Sequence, residues 1–351
     1  MIAVAGEAFG FGPASKCVAI MRAIGPDRCI ALGTATSREF FNANDLRCAP
    51  LQEYPSHAEL AHLVEVNGID AAIVALDADL AETFLDLQIP VTFIDSLGFM
   101  WDSSHVQNHS RLYEQAAYVC QDVLGAKGCL EAAGATSLTA VGAIVDCTTD
   151  SGIAPCDIVL ALGGMYAHGN DLAVATYLDF IGRIATRLSP TDSEILVLSS
   201  RGASAYLKAR FPHLRCESLS HAQALGHMAN ARRVLTAPGL TTLLELSALG
   251  VSVHPLPPQN YSQCRIVQQC VELGIARTAP WTMYHSRFPV GRGLPEQEGI
   301  KVARAFMSEL AGDDLSEGVL AEMLSEPAAA LRLTDDFDGV RAVADLFATS
   351  L

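Results

Sequence analysis

The sequence has little charge and few aromatic rings: 18% of its 351 residues are Asp, Glu, Lys or Arg, and 7% are Phe, Trp or Tyr. Positive charge is the scarcer sign, with 23 Lys and Arg against 39 Asp and Glu and a formal net charge of -16. A surface that acidic repels phosphate backbones and anionic headgroups, so nucleic acid and membrane are not expected as partners. No apolar run reaches membrane-spanning length without a charge. The N-terminal Met1–Gly6 has no basic region and leads straight into a strand pattern, so no signal peptide is expected, and the expected location is the cytoplasm. No Cys-x-x-Cys pair occurs among the ten scattered cysteines, which read as reduced, mostly core residues in a chain for which no export signal is expected.

Several catalytic signatures are also missing. There is no Gly-Lys-Ser/Thr, which excludes a Walker-type phosphate loop. In "AGEAFGFGPASK" (Ala5–Lys16), Gly10 and Gly12 lack the third glycine of a dinucleotide fingerprint, and no acid ends the second strand pattern to hold a ribose. No Gly-x-Ser-x-Gly elbow is present. His105 and His109 stand four apart, but no glutamate follows His105 and no third ligand is evident, so neither a metal nor another cofactor is expected.

What is present is a hydrophobic half of the chain, rich in Ala, Val and Leu, arranged as β runs alternating with helical spacing. The first half carries runs at Ile2–Ala5, Cys29–Leu32, Ala71–Leu76, Val91–Asp95 and Leu138–Val145, with helical stretches at Ala14–Ile24, Ala58–Val66 and Ala81–Leu87. A polar, turn-rich stretch, Asp146–Asp157, reads as a linker. The alternation restarts at Ile158–Leu162, Ile195–Leu198, Arg215–Leu219, Arg233–Thr236 and Val251–Leu256. The expected fold is α/β, with two doubly wound Rossmann-like domains over 1–150 and 151–325 and a helical tail over 326–351. Open sheets of this kind bind ligands at the carboxyl ends of their strands, so a cleft between two such ends is the expected site.

Three loops have the residues for that chemistry. In Ala5–Lys16, glycines allow close backbone approach and Pro13 suits a first helical turn. In Leu162–Asp171, Gly163 and Gly164 precede a helix whose free amides would seat a diphosphate, although a plain glycine turn has the same pattern. In "TAPGLTTLLELSALG" (Thr236–Gly250), Gly239, Thr241 and Thr242 open a helix with the lone acid Glu245 one turn on. That carboxylate can accept two ribose hydroxyls; equally, Thr241 can be a helix cap and Glu245 an exposed acid.

Together these loops resemble the donor half of GT-B glycosyltransferases, in particular the family that adds N-acetylglucosamine to lipid I in peptidoglycan synthesis. Gly163–Gly164 resembles that family's Gly-Gly loop, and Ser199-Ser200-Arg201-Gly202 its Ser-Gly-Lys-Gly-like turn. Gly239–Glu245 resembles its Gly-x-x-Thr-x-x-Glu helix start, and Pro257–Gln263 its Pro-x-Gln loop. The resemblance implies a UDP-sugar donor. Glu245 would hold the ribose. Gly163, Gly164, Ser200, Arg201, Gly239, Thr241 and Thr242 would surround the diphosphate, and Gln259 and Gln263 would face the sugar. The first half departs from the family: the histidine expected in the glycine-rich loop aligns with Phe11, which removes the usual base and counts against a lipid acceptor.

A narrower resemblance, carried by "AFGFGPASK" (Ala8–Lys16) and "VTFIDSLGFMW" (Val91–Trp101), is to cytosylglucuronate synthases of nucleoside-antibiotic biosynthesis. It implies UDP-glucuronic acid as donor and cytosine as acceptor, the base closed in by Phe9, Phe11, Phe99 and Trp101. Core packing is the alternative for Phe99 and Trp101. Lys16, Arg201 and Arg265 are candidates to neutralise a sugar carboxylate. The expected reaction is a metal-independent inverting transfer, with Lys16 assisting and Glu7, Asp95 or Asp102 as base. The alternatives are a nucleotide-sugar 2-epimerase or hydrolase of the same fold, or a non-catalytic nucleotide-sugar-binding protein. Small-molecule substrates are the expected partners, and a homodimer stays open.

Overall fold

In the computed structural model the chain forms two compact units, Met1–Asp146 together with Thr334–Leu351, and Cys147–Leu333. The structure describes all residues except 9, 53–54, 166–171, 189–193, 288–289, 293, 295, 310–327 and 351.

The first unit is built on a seven-stranded sheet: β1 (Ile2–Gly6), β2 (Cys29–Gly33), β3 (Cys48–Pro50), β4 (Ala71–Ala75), β5 (Val91–Asp95), β6 (Ala117–Gln121) and β7 (Thr139–Val141). Its order is β3-β2-β1-β4-β5-β6-β7, and every neighbouring pair is parallel. β1, β2, β4 and β5 are buried at every position, as near-continuous apolar runs must be when helices cover both faces. Two of the covering helices start where the sequence supplies caps: Ser56 and Glu59 form a capping box for His57–Asn67, and Asp77 accepts from Leu80 N at the head of Ala78–Asp86.

Two strands are absent from the expected set. β3 is a three-residue edge strand ending in a proline, and β6 is a short mixed run one residue beyond the helix Ser110–Gln115. β7 is shorter than the run Leu138–Val145 because the chain turns away at Gly142 to receive the C-terminal segment. Ala143 N donates to Asp336 O at 2.9 Å, and Ile144 N donates to Gln121 Oε1 at 2.8 Å. A Cβ on Gly142 would stand 2.3 Å from the Asp336 carboxyl group, so only glycine fits there. The closing helix, Gly339–Ser350, lies on the helix Gly12–Ile24, and its Val343 and Phe347 join the core around Val4, Ile20 and Phe41.

The second unit carries β8 (Ile158–Ala161), β9 (Ile195–Leu198), β10 (Arg215–Glu217), β11 (Arg233–Thr236) and β12 (Val253–Pro255), parallel throughout in the order β10-β9-β8-β11-β12. Of the expected linker, Asp146 belongs to the first unit, where Arg22 Nη1 donates to its Oδ2 at 2.6 Å, and Cys147–Asp157 belongs to this one: Asp150 N donates to Ala222 O at 3.1 Å, and Ile153 closes over Gly226. Among the described residues no helix is long and apolar enough to cross a membrane. All ten cysteines are free thiols, eight of them buried. Burial pushes the Cys17, Cys264 and Cys270 thiols up to about 12, which keeps them protonated and unreactive.

Candidate functional site

In the second unit the strand order reverses between β8 and β11. The register pairs Thr236 with Ala161 and Pro255, and Ala161 with Leu198, so the segments after β8, β9, β11 and β12 leave the sheet at one edge. That edge, at a switch point, is where a doubly wound sheet accepts a ligand.

The predicted donor residues gather there. Gly163 is exposed at φ 65°, a left-handed turn that glycine adopts without strain, and Gly164 after it is buried. Ser200 caps the helix Arg201–Arg210 through Ala203 N at 3.5 Å and donates from Oγ to Met165 O at 3.4 Å. Arg201 is exposed on that helix's first turn. Gln259 Nε2 donates to Leu162 O at 3.2 Å, while Gln259 N donates to Gln263 Oε1 at 2.8 Å. A Cβ on Gly239 would lie 4.0 Å from Gln263 Nε2, so these amides border the start of the helix Leu240–Ala248.

That helix start differs from its neighbours. Arg201–Arg210 is capped by the Ser200 side chain, His221–Asn230 by a Ser220–Gln223 box, and Tyr261–Glu272 by Asn260. Leu240–Ala248 begins on Gly239, which offers no side chain to its first amides. Thr241 is buried and Thr242 half-buried on the same turn. One turn on, Glu245 is 2% exposed, so it is not an exposed surface acid. Its Oε1 lies 3.2 Å from Nε2 of His221, itself buried at the start of the helix His221–Asn230. His221 was not among the predicted residues. It is 24 positions from Glu245 on another helix, and no spacing rule connects them. Arg265 is also buried, where Nη1 donates to Gln268 Oε1 at 2.5 Å and Val290 O at 2.8 Å.

The first unit has its own switch point, between β1 and β4. The loop after β1 leads at once into the helix Gly12–Ile24. A Cβ on Gly6 would meet Pro13 Cβ at 3.0 Å and Cys17 Sγ at 3.2 Å, so Gly6 allows close strand–helix packing. Glu7 is half-buried, its backbone N donating to Ala75 O at 2.9 Å. Lys16 is 2% exposed in the helix's second turn. The Phe11 ring sits 5.0 Å from Phe40 at the core's margin. Phe9 lies outside the described residues.

Asp95 ends β5, fully buried. Its Oδ1 accepts from Leu97 N at 2.7 Å; its Oδ2 accepts from Trp101 Nε1 at 2.9 Å and Tyr118 OH at 2.7 Å, and Tyr113 OH donates in turn to Tyr118 OH at 3.0 Å. Burial holds the Asp95 carboxyl above the usual carboxylate range, with these three donors opposing it. Phe99 is completely buried in the short turn Gly98–Met100, while Trp101 is half-buried and stacks on His105 with centroids 4.0 Å apart and planes 7° apart. Burial lowers the His105 imidazole to about 4. Asp102 caps the helix Ser103–Asn108, and the donors from Ser104 hold its carboxyl below the usual range. His109 Nδ1 lies 3.2 Å from Glu82 Oε1. Among the described residues no group of three or more His, Cys, Asp or Glu is arranged to hold a metal ion.

No family model and no curated protein matches the sequence. Solved structures do match the fold. The UDP-GlcNAc 2-epimerase from Neisseria meningitidis bound to UDP-GlcNAc aligns over 99% of this chain and 100% of its own, at 9% identity and a TM-score of 0.54. The glycotransferase of kitacinnamycin aligns over 100% of this chain and 99% of its own, at 13% identity and a TM-score of 0.52. MurG from Acinetobacter baumannii aligns over 99% of this chain and 100% of its own, at 12% identity and a TM-score of 0.46. The fold is GT-B: two parallel α/β units along the whole chain.

Proposed function

We propose that this chain is an enzyme acting on a UDP-sugar, and that it transfers the sugar with inversion, without a metal, to a small polar or heteroaromatic acceptor. The observation that carries this reading is the Leu240–Ala248 helix start: a glycine-opened, side-chain-uncapped N-terminus at the switch point, with a buried carboxylate one turn along. Helix amides take the diphosphate and Glu245 takes the ribose diol. Gly163, Gly164, Ser200, Arg201, Thr241 and Thr242 complete the phosphate side, and Gln259 and Gln263 face the sugar.

In the transfer the acceptor's nucleophilic atom attacks the anomeric carbon as the bond to the diphosphate breaks. Amides and Arg201 stabilise the leaving charge. The acceptor's proton goes to a carboxylate. Glu7 suits that role better than Asp95, whose two oxygens already receive three donors. The specific substrates proposed are UDP-glucuronic acid and cytosine, with Phe11 and Trp101 beside the acceptor, Phe99 packed in the core beneath them, and Lys16 assisting turnover.

The test has two stages. Calorimetry with UDP should show binding; no binding removes the reading. The protein is then incubated with UDP-glucuronic acid, with and without a panel of free nucleobases, and products are read by mass spectrometry. A nucleobase conjugate supports transfer. An epimer or free sugar without acceptor supports the second reading, a 2-epimerase or hydrolase. That alternative is kept because an epimerase and a transferase share this fold at nearly equal TM-scores, 0.54 and 0.52.

A further inference from the structure

The Glu245 carboxylate stands inside the protein, in the second turn of the helix Leu240–Ala248. A buried carboxylate needs hydrogen bonds that both compensate its lost water and fix its rotamer. One group that meets it comes from a different helix. His221, the first residue of His221–Asn230, brings Nε2 to 3.2 Å from Glu245 Oε1. The His221 backbone is itself set by the Ser220–Gln223 capping box, in which Ser220 N donates to Gln223 Oε1 at 3.3 Å. The imidazole is therefore carried on a defined helix start, and its ring is almost as buried as the acid.

Such a contact changes what the acid can do. A lone glutamate has three rotatable side-chain bonds and would choose among rotamers when a ligand arrives. One carboxylate oxygen engaged by an imidazole nitrogen loses that choice, and the other oxygen is aimed by the planarity of the group. A two-point grip on a vicinal diol needs this, because each hydrogen bond depends steeply on direction.

We propose that His221 is the positioning residue of the ribose grip: it holds the Glu245 carboxylate in the orientation that accepts a vicinal diol, and it thereby sets the preference of the site for ribonucleotides. The inference rests on the nucleotide-sugar reading of the same site. His221 touches the acid and not the sugar. Its removal therefore weakens recognition of the diol and leaves the diphosphate contacts intact.

The experiment compares two probes by calorimetry on the full-length protein: UDP and 2′,3′-dideoxyuridine 5′-diphosphate, which lacks both hydroxyls. The wild type should bind UDP roughly tenfold or more tightly than the dideoxy analogue, the effect of hydrogen bonds to a charged group. His221→Ala should lose most of that ratio while its affinity for the dideoxy analogue stays the same. His221→Gln, which keeps an N–H donor, should restore part of the ratio. If His221→Ala fails to fold, His221→Phe fills the ring volume without a donor and is read instead. A folded variant that keeps the wild-type ratio overturns the proposal. So does a variant in which both affinities fall by one common factor, since that is a structural effect only. A wild type that binds UDP and its analogue equally overturns the ribose grip. A wild type that binds neither overturns the nucleotide reading itself, and with it this inference.

Discussion

The two sheets follow one plan, yet their carboxyl ends are finished differently. In the first unit the most buried acid at that end, Asp95, is saturated by its own chain: a backbone amide, an indole and a phenol point at it. In the second unit the helix that opens at the switch point has no side-chain cap, as in the first unit, and the buried acid one turn along it meets an imidazole, His221. The first arrangement spends its polar groups on shape, locking Leu97, Trp101 and Tyr118 around β5. The second keeps backbone amides and a carboxylate within one turn of each other, an arrangement suited to a ligand with a phosphate and a diol. The two sheets thus place different surroundings about a buried acid at their carboxyl ends.

Breaking Asp95 should have the largest effect, and it should be on stability. Asp95→Ala leaves the Leu97 amide, Trp101 indole and Tyr118 hydroxyl buried without their acceptor, so a loss of about 3–4 kcal/mol is expected in urea titrations. A loss under about 1 kcal/mol would mean that water replaces the acid, and the contrast between the two ends would weaken. Glu245→Ala should act the other way round. Its UDP affinity is expected to fall by roughly 1–3 kcal/mol in a protein that still folds; unchanged affinity by calorimetry removes Glu245 from the site. Lys16→Met sharpens the comparison within the first unit. The buried ammonium is expected to serve turnover, so product formation should drop more than UDP affinity, and equal losses in both would return Lys16 to packing.

The smallest expected effect is a pH dependence at His105. Its imidazole is lowered to about 4 by burial, so the folded unit favours the neutral ring. Stability from this source is present above the unfolded value of about 6.5 and is lost as pH falls toward 4. Thermal unfolding between pH 7 and pH 4.5 should therefore decline less in His105→Phe than in the wild type. An identical decline would show that the ring is solvated in the folded protein.

Much of the fold was legible because long, uniformly apolar runs have few ways to be buried. Val91–Asp95 is a strand at the expected bounds, and Gly12–Ile24 contains the expected helical stretch Ala14–Ile24; of the expected helical tail over 326–351, Gly339–Ser350 is helix while 328–338 is not. The failures came where local pattern is weak or long-range contact decides. β3 has three residues, and β7 ends where Asp336 crosses Gly142, a partner 194 positions away that no window of sequence contains. The same reason governs the site. Glycines and helix starts mark themselves, so Gly163 and Gly239 were readable. The His221–Glu245 contact and the three donors on Asp95 are made by tertiary packing. Phe99 illustrates the remaining ambiguity: an aromatic beside a loop reads alike as ligand wall or as core, and the structure buries it completely.

The first unit also has an order of manufacture built into it. Domains generally fold as units while the chain is still being made, at ~5–20 residues per second. The helix Gly339–Ser350, which lies on Gly12–Ile24, emerges only after the whole of Cys147–Leu333, so the earlier unit waits on the order of ten seconds or more for its closing piece. In that interval the apolar surface later covered by Val343 and Phe347 is bare to the surrounding proteins. The unit made first is thus the one completed last, and a nascent chain halted before Gly339 would present a holdase with an exposed patch on an otherwise assembled sheet.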